Sequence, residues 1–187
     1  MNEELKKALQ ILQKGGIILY PTDTIWGIGC DATNEEAVAK IYKIKQREDS
    51  KAMLVLLDDA QYLPGYMKEV PEIAYTLIEV SDKPTTIIYD NAQRLASNLI
   101  DSDGSIGIRI TSDEFCKKLI SKFGKPIVST SANISGKANA LTFSEIADEI
   151  KQAVDYVVNW RQNDKTKSKP SSIIKLGVGG EIKIIRS

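Results

Sequence analysis

Three segments of this chain carry polar side chains where an apolar run ends, the position at which open α/β sheets usually build their sites. The first is Tyr20-Pro21-Thr22-Asp23-Thr24-Ile25-Trp26-Gly27-Ile28-Gly29. Its hydroxyls and glycines let backbone amides and Thr oxygens face a small ligand, or simply make a turn. The second is Lys45-Gln46-Arg47 with Lys51, three cations within seven residues. Such side chains satisfy a helix C-terminus; they equally clamp a triphosphate, the Arg fork taking two oxygens and the lysines acting as point charges. The third runs from Ile127-Val128 into Ser129-Thr130-Ser131-Ala132-Asn133-Ile134-Ser135-Gly136. That loop offers hydroxyls, an amide and backbone N–H groups to phosphate oxygens or an adenine edge, or it is a Ser/Asn-rich surface turn.

Other chemistries are excluded by composition. The 187 residues contain no histidine, which removes Ser-His-Asp and Cys-His nucleophile systems, His-ligated zinc and the usual general base. Cys30 and Cys116 lie far apart without CxxC spacing, so they form no metal cage and read as buried or idle thiols. Gly124-Lys125-Pro126 and Gly136-Lys137-Ala138 are not P-loops, and Gly177-Val178-Gly179-Gly180 joins two strands without opening a helix. Lys plus Arg and Asp plus Glu are both 25, so the net charge is 25 − 25 = 0, and any basic site is local. A general polyanion binder would show a pI above about 9; here it is about 6.4.

The elements that must position these segments are mixed throughout. Leu5, Ala8, Leu9 and Leu12 recur at helical spacing up to Gly15-Gly16, and a short buried strand follows at 17–20. Capping-box patterns at Thr33/Glu36, Thr111/Glu114 and Thr142/Glu145 predict helices over about 33–45, 111–122 and 142–152, and a further helix spans 71–80. Apolar or β-branched runs predict strands at 53–57, 85–89, 106–110, 127–130, 156–158, 172–176 and 182–185. The close spacing of strands over 85–110 and at the end of the chain favours a mixed sheet. The expected fold is α/β bordering on α+β: one domain over 1–187, a single twisted mixed sheet flanked by helices. The polar stretch 161–169 is a solvated loop or, beside a site, a basic lid over an anionic ligand. An acidic N-terminus and the lack of an apolar run of about 20 residues point to a soluble cytoplasmic protein with no membrane contact.

Taken together, Tyr20-Pro21-Thr22-Asp23-Thr24, Lys45-x-Arg47, Ile106-Gly107-Ile108-Arg109, Ser129-Thr130-Ser131-Ala132-Asn133 and Lys169-Pro170-Ser171-Ser172 resemble the YrdC family, the threonylcarbamoyl-AMP synthases, in their short single-domain form. The resemblance implies an open α/β sheet with a concave basic cavity. It also implies synthesis of threonylcarbamoyl-adenylate from L-threonine, bicarbonate and ATP with release of pyrophosphate, feeding tRNA modification, with tRNA or its modification proteins as partners. By the same resemblance Thr22, Arg109, Ser129 and Ser171 bind threonine, while Lys45, Arg47, Lys51, Thr86, Ser131, Asn133, Asn139 and Arg186 bind ATP, with Lys45 and Arg47 as the catalytic pair. Mg²⁺ is then held mainly by the ATP phosphates, with no dedicated protein ligand. The sequence departs from many relatives in lacking a His beyond the basic motif and in having Pro170 before Ser171-Ser172 and Pro84-Thr85-Thr86 in place of Pro-Leu-Thr. Alternatives are a paralogous branch of the fold, disfavoured by Ser131-Ala132-Asn133; an RNA-binding module, disfavoured by neutral charge and 12 aromatics; and a structural partner of the modification machinery.

Overall fold

The computed structural model describes residues 1–46 and 53–187. In chain order the elements are α1 (Asn2–Gln13), β1 (Ile18–Tyr20), β2 (Gly27–Gly29), α2 (Glu35–Ile44), β3 (Leu54–Leu57), α3 (Leu63–Tyr66), α4 (Glu72–Val80), β4 (Thr85–Tyr89), β5 (Ile106–Ile110), α5 (Glu114–Phe123), β6 (Ile127–Ser131), α6 (Asp148–Ala153), β7 (Tyr156–Val157), β8 (Ser172–Leu176) and β9 (Ile182–Arg186). The nine strands form one sheet in the order β7-β1-β2-β6-β3-β5-β4-β8-β9. Three neighbouring pairs are parallel, β1·β7, β3·β5 and β4·β8, and the others antiparallel. The expected mixed α/β sheet is what forms.

The two faces of the sheet explain the site. Side chains alternate along each strand, so Leu19, Ile28, Val128, Val55, Ile108, Ile87 and Tyr89 point to one face, where α2, α3, α4 and α6 bury them. Ile18, Tyr20, Leu56 and Ile127 point to the other, where Leu5, Ala8 and Leu12 of α1 and Phe115, Cys116, Leu119 and Ile120 of α5 cover them. Each of these fully buried large side chains contributes about 1.5–3 kcal/mol. The helices α1 and α5 cover only part of the second face, and the residues beyond their reach change from apolar to Ser, Thr, Gly and Arg.

Local differences from the sequence reading have physical causes. The cap of α2 is Asn34, which accepts from Ala37 N, because the Thr33 hydroxyl is taken by Asp31 at 2.6 Å. The cap of α5 is Asp113, which accepts from Cys116 N; Thr111 Oγ1 instead accepts from Asp113 N. The expected helix from Thr142 is a single 3-10 turn over Phe143–Glu145, followed by the separate α6. β2 lies inside a segment read as strand end and turn. Its Gly29 has no room for a side chain: a Cβ would stand 2.5 Å from Val128 O and 2.6 Å from the Tyr20 ring.

Both thiols are buried and unpaired, and burial pushes each pKa up, so they stay protonated at neutral pH. Cys116 Sγ donates to Pro21 O at 3.3 Å and so anchors the turn after β1. Among the described residues no helix is long and apolar enough to cross a membrane.

Candidate active site

The uncovered part of the sheet face is the floor of a cavity of about 450 Å³. Six strands supply it: Gly27 from β2, Leu54 from β3, Thr86 and Ile88 from β4, Gly107 and Arg109 from β5, Ser129 to Ser131 from β6, Ile173 from β8, with Arg186 of β9 at the rim. Its charged lining among the described residues is Arg109, Arg186 and one carboxylate, Asp101. Arg109 and Arg186 outnumber Asp101 in this lining, and Asp23, behind the wall, offsets the charge of Arg109.

Arg109 is the buried cation of this lining. Its side chain is 2% exposed, and Nη2 lies 3.0 Å from Asp23 Oδ1. Asp23 is itself held by Ser112, whose backbone N–H donates to Oδ2 at 3.2 Å and whose hydroxyl donates at 3.4 Å. Arg109 Nε, by contrast, is buried with no hydrogen-bond partner. Asp23 Oδ1 is likewise buried without a hydrogen bond, so Arg109 and Asp23 are held together as an ion pair. Burial, and after it the charge of Arg109, lower the pKa of Arg186.

Hydroxyls form the second set. Thr86 Oγ1 and Ser171 Oγ are 2.8 Å apart. Arg186 donates from Nε and Nη2 to Ser171 O at 3.0 and 2.7 Å, so β9 fixes the residue that closes the wall. Thr86, Arg109, Ser129, Ser131, Asn139, Ser171 and Arg186 thus all line one cavity.

Three other expected residues lie behind that wall. Thr22 is buried; its hydroxyl donates to Ile25 O at 2.8 Å and accepts from Thr24 N at 3.0 Å, so it shapes the turn that presents Thr24 and does not itself face the cavity. Lys45 is also buried, 2% exposed. Its ammonium donates to Ser131 O at 2.6 Å, Asn133 O at 2.7 Å and Asn133 Oδ1 at 3.1 Å. Asn133 accepts from Ser131 Oγ at 2.6 Å and donates to Lys137 O at 2.6 Å, knotting the loop that delivers Asn139. Lys45, at the end of α2, thus joins the loop after β6 as a buried strut. Arg47 and Lys51 lie outside the described residues.

Thr24, Asp101, Gly107 and Pro170 line the cavity without having been singled out as ligands by the sequence. Gly107 carried a signal, a glycine inside a strand, where a Cβ would press on Thr86 at 3.2 Å. The loop 161–169 begins at Arg161, which donates to Thr22 O at 3.2 Å and pairs with Asp113 at 2.8 Å. It ends at Pro170 and Ser171 on the cavity wall, with Lys165, Lys167 and Lys169 exposed to solvent.

The model of the Sua5, YciO and YrdC proteins, described as telomere recombination, matches residues 10–187. The chain belongs to the Sua5/YciO/YrdC family. Within it, a threonylcarbamoyl-AMP synthase of Pseudoalteromonas translucida is 30% identical, the match covering 94% of each chain. A Methanocaldococcus jannaschii protein that carries the same name provisionally is 38% identical over 93% of this chain and 83% of its own. Among solved structures, P. abyssi Sua5 complexed with L-threonine superposes with a TM-score of 0.82 at 23% identity, over 92% of this chain and 50% of that one. The family fold is thus shared, and this chain spans half the length of that Sua5.

Proposed function

We propose that this family member is a threonylcarbamoyl-AMP synthase, joining L-threonine, bicarbonate and ATP into threonylcarbamoyl-adenylate with release of pyrophosphate and water, for the modification of tRNA. The observation that carries the reading is the convergence of Arg109, Arg186 and the Ser129–Ser131 strand end on one cavity. One cation suits an amino-acid carboxylate and the other a nucleotide's phosphates, and the relatives' names agree with both.

In this mechanism Arg109 takes the threonine carboxylate, and the hydroxyls of Ser129, Ser171 and Thr24 take its polar groups. Threonine's amine captures the bicarbonate carbon to give a carbamate with loss of water. A carbamate oxygen then attacks the α-phosphorus while the bond to pyrophosphate breaks. Ser131, Asn139 and Arg186 hold the phosphates in line. Phosphoryl-type transfer is chiefly positioning and charge stabilisation, so no histidine or protein nucleophile is needed. Asp101 and the cavity hydroxyls suit Mg²⁺, a cation that keeps most of its waters; carried on the ATP phosphates, it would supply neutralisation of their charge.

Lys45 serves the site by fixing the loop that carries Ser131 and Asn139, while Arg47 and Lys51 supply further phosphate contacts by the resemblance. Incubation with ATP, Mg²⁺, L-threonine and bicarbonate tests the reading. Pyrophosphate release that requires both threonine and bicarbonate is expected; release independent of threonine, or none, contradicts it.

A further inference from the structure

We infer that Asp23 is a positioning residue that makes the cavity selective for a substrate carboxylate, acting through Arg109; this rests on the amino-acid reading of the site. Asp23 does not line the main cavity. It stands behind it, its side chain 7% exposed, with Oδ1 3.0 Å from Arg109 Nη2. Ser112 N and Oγ hold Oδ2 at 3.2 and 3.4 Å just before α5 begins, so the carboxylate is tied to a rigid element. Arg109 reaches across from β5, and the outer end of its guanidinium is paired with Asp23 by charge, without a hydrogen bond to Oδ1.

A guanidinium has a planar fork with fixed donor directions. Anchoring one end orients the rest before substrate arrives, and a preorganised donor loses less entropy on binding. The anionic partner also holds the buried cation in place, where a neutral one leaves it free to swing toward solvent or toward the phosphates of the other substrate. Asp23 therefore assigns Arg109 to the amino acid and keeps it from the nucleotide.

The test compares L-threonine with L-threoninol, which lacks the carboxylate, by calorimetric binding to wild type, Asp23→Asn and Asp23→Glu, with ATP affinity measured alongside. Wild type is expected to prefer threonine. Asp23→Asn, which keeps the shape and an acceptor for Ser112, is expected to lose threonine affinity by about tenfold or more, as for a charge-assisted contact, with threoninol and ATP affinities unchanged. Asp23→Glu keeps the charge, and a second cavity of about 280 Å³ beside Asp23 gives room for the extra methylene; threonine affinity within about threefold of wild type is expected. A wild type without carboxylate preference overturns the amino-acid reading itself. A wild-type preference that survives intact in Asp23→Asn, or an Asp23→Asn loss shared equally by ATP, overturns the role of Asp23 alone. Should Asp23→Asn fail to fold by circular dichroism, a tenfold threonine loss in Asp23→Glu overturns it.

Discussion

Lys45 Nζ lies 2.7 Å from the carbonyl oxygen of Asn133, a residue 88 positions later in the chain. With Ser131 O and Asn133 Oδ1 as further acceptors, a buried ammonium replaces the solvent that these oxygens lost on folding. The contact makes one motif the mount of another. Lys45→Ala and Lys45→Met are both expected to destabilise by about 2–4 kcal/mol, because each leaves buried carbonyls without a donor. Urea unfolding checks this. If Lys45→Met, which restores the volume, is as stable as wild type, Lys45 is not a hydrogen-bonding strut.

Gly29→Ala tests the close approach of β2 to its neighbours. Two heavy atoms within 2.6 Å of the added carbon, one of them backbone, force the strand apart. A loss of about 1–3 kcal/mol is expected from such overpacking. Thermal unfolding unchanged from wild type would contradict the packing described for β2.

Glu4 and Tyr156 link α1 to β7. Burial pushes the Glu4 carboxyl up, but the Tyr156 hydroxyl at 2.6 Å, Asn159 N at 2.7 Å and Lys7 outweigh it, and its net pKa is lowered. A carboxyl with a lowered folded pKa stabilises above its unfolded value of about 4.3, and that stability is lost as pH falls through the folded value. Tyr156 is raised to about 12, by burial first and by Glu4 next. Its contribution is complete below pH ~10 and is lost as pH rises through about 12. Tyr156→Phe is expected to cost about 1–2 kcal/mol at neutral pH. Its denaturant midpoints are expected to converge on those of wild type at both pH extremes; a deficit independent of pH would contradict the linkage.

Strands were the most legible part of the fold. Thr85–Tyr89 and Ile106–Ile110 form over the runs that predicted them, because each is a five-residue apolar or β-branched segment. β2 was hidden because Gly-Ile-Gly offers no such run, and its pairing depends on absent side chains. Caps moved by one or two residues where a nearby Asp competed for a Thr hydroxyl or offered a better acceptor, as at Asp31 and Asp113. In the site, the motif residues on strands reached the cavity, since strand alternation dictates their face. Thr22, Lys45 and Asn133 did not, because a turn and a knotted loop orient them inward by contacts that only the tertiary fold supplies. Asp101 stood in no motif and entered by way of the turn before β5.

Arg109→Gln keeps much of the side chain's length while removing the charge. Threonine affinity is expected to fall by about tenfold or more, with the fold retained and ATP affinity little changed, measured by calorimetry. An equal fall in ATP affinity would place the nucleotide, not the amino acid, on Arg109.

A crystal soaked with L-threonine and a non-hydrolysable ATP analogue locates both substrates at once. The expected density shows the threonine carboxylate against the guanidinium of Arg109 and the nucleotide's phosphates toward Ser131, Asn139 and Arg186, side by side on the open sheet face. Ligands seated elsewhere on the molecule, with no contact to Arg109 or Arg186, would contradict the synthase reading at its root.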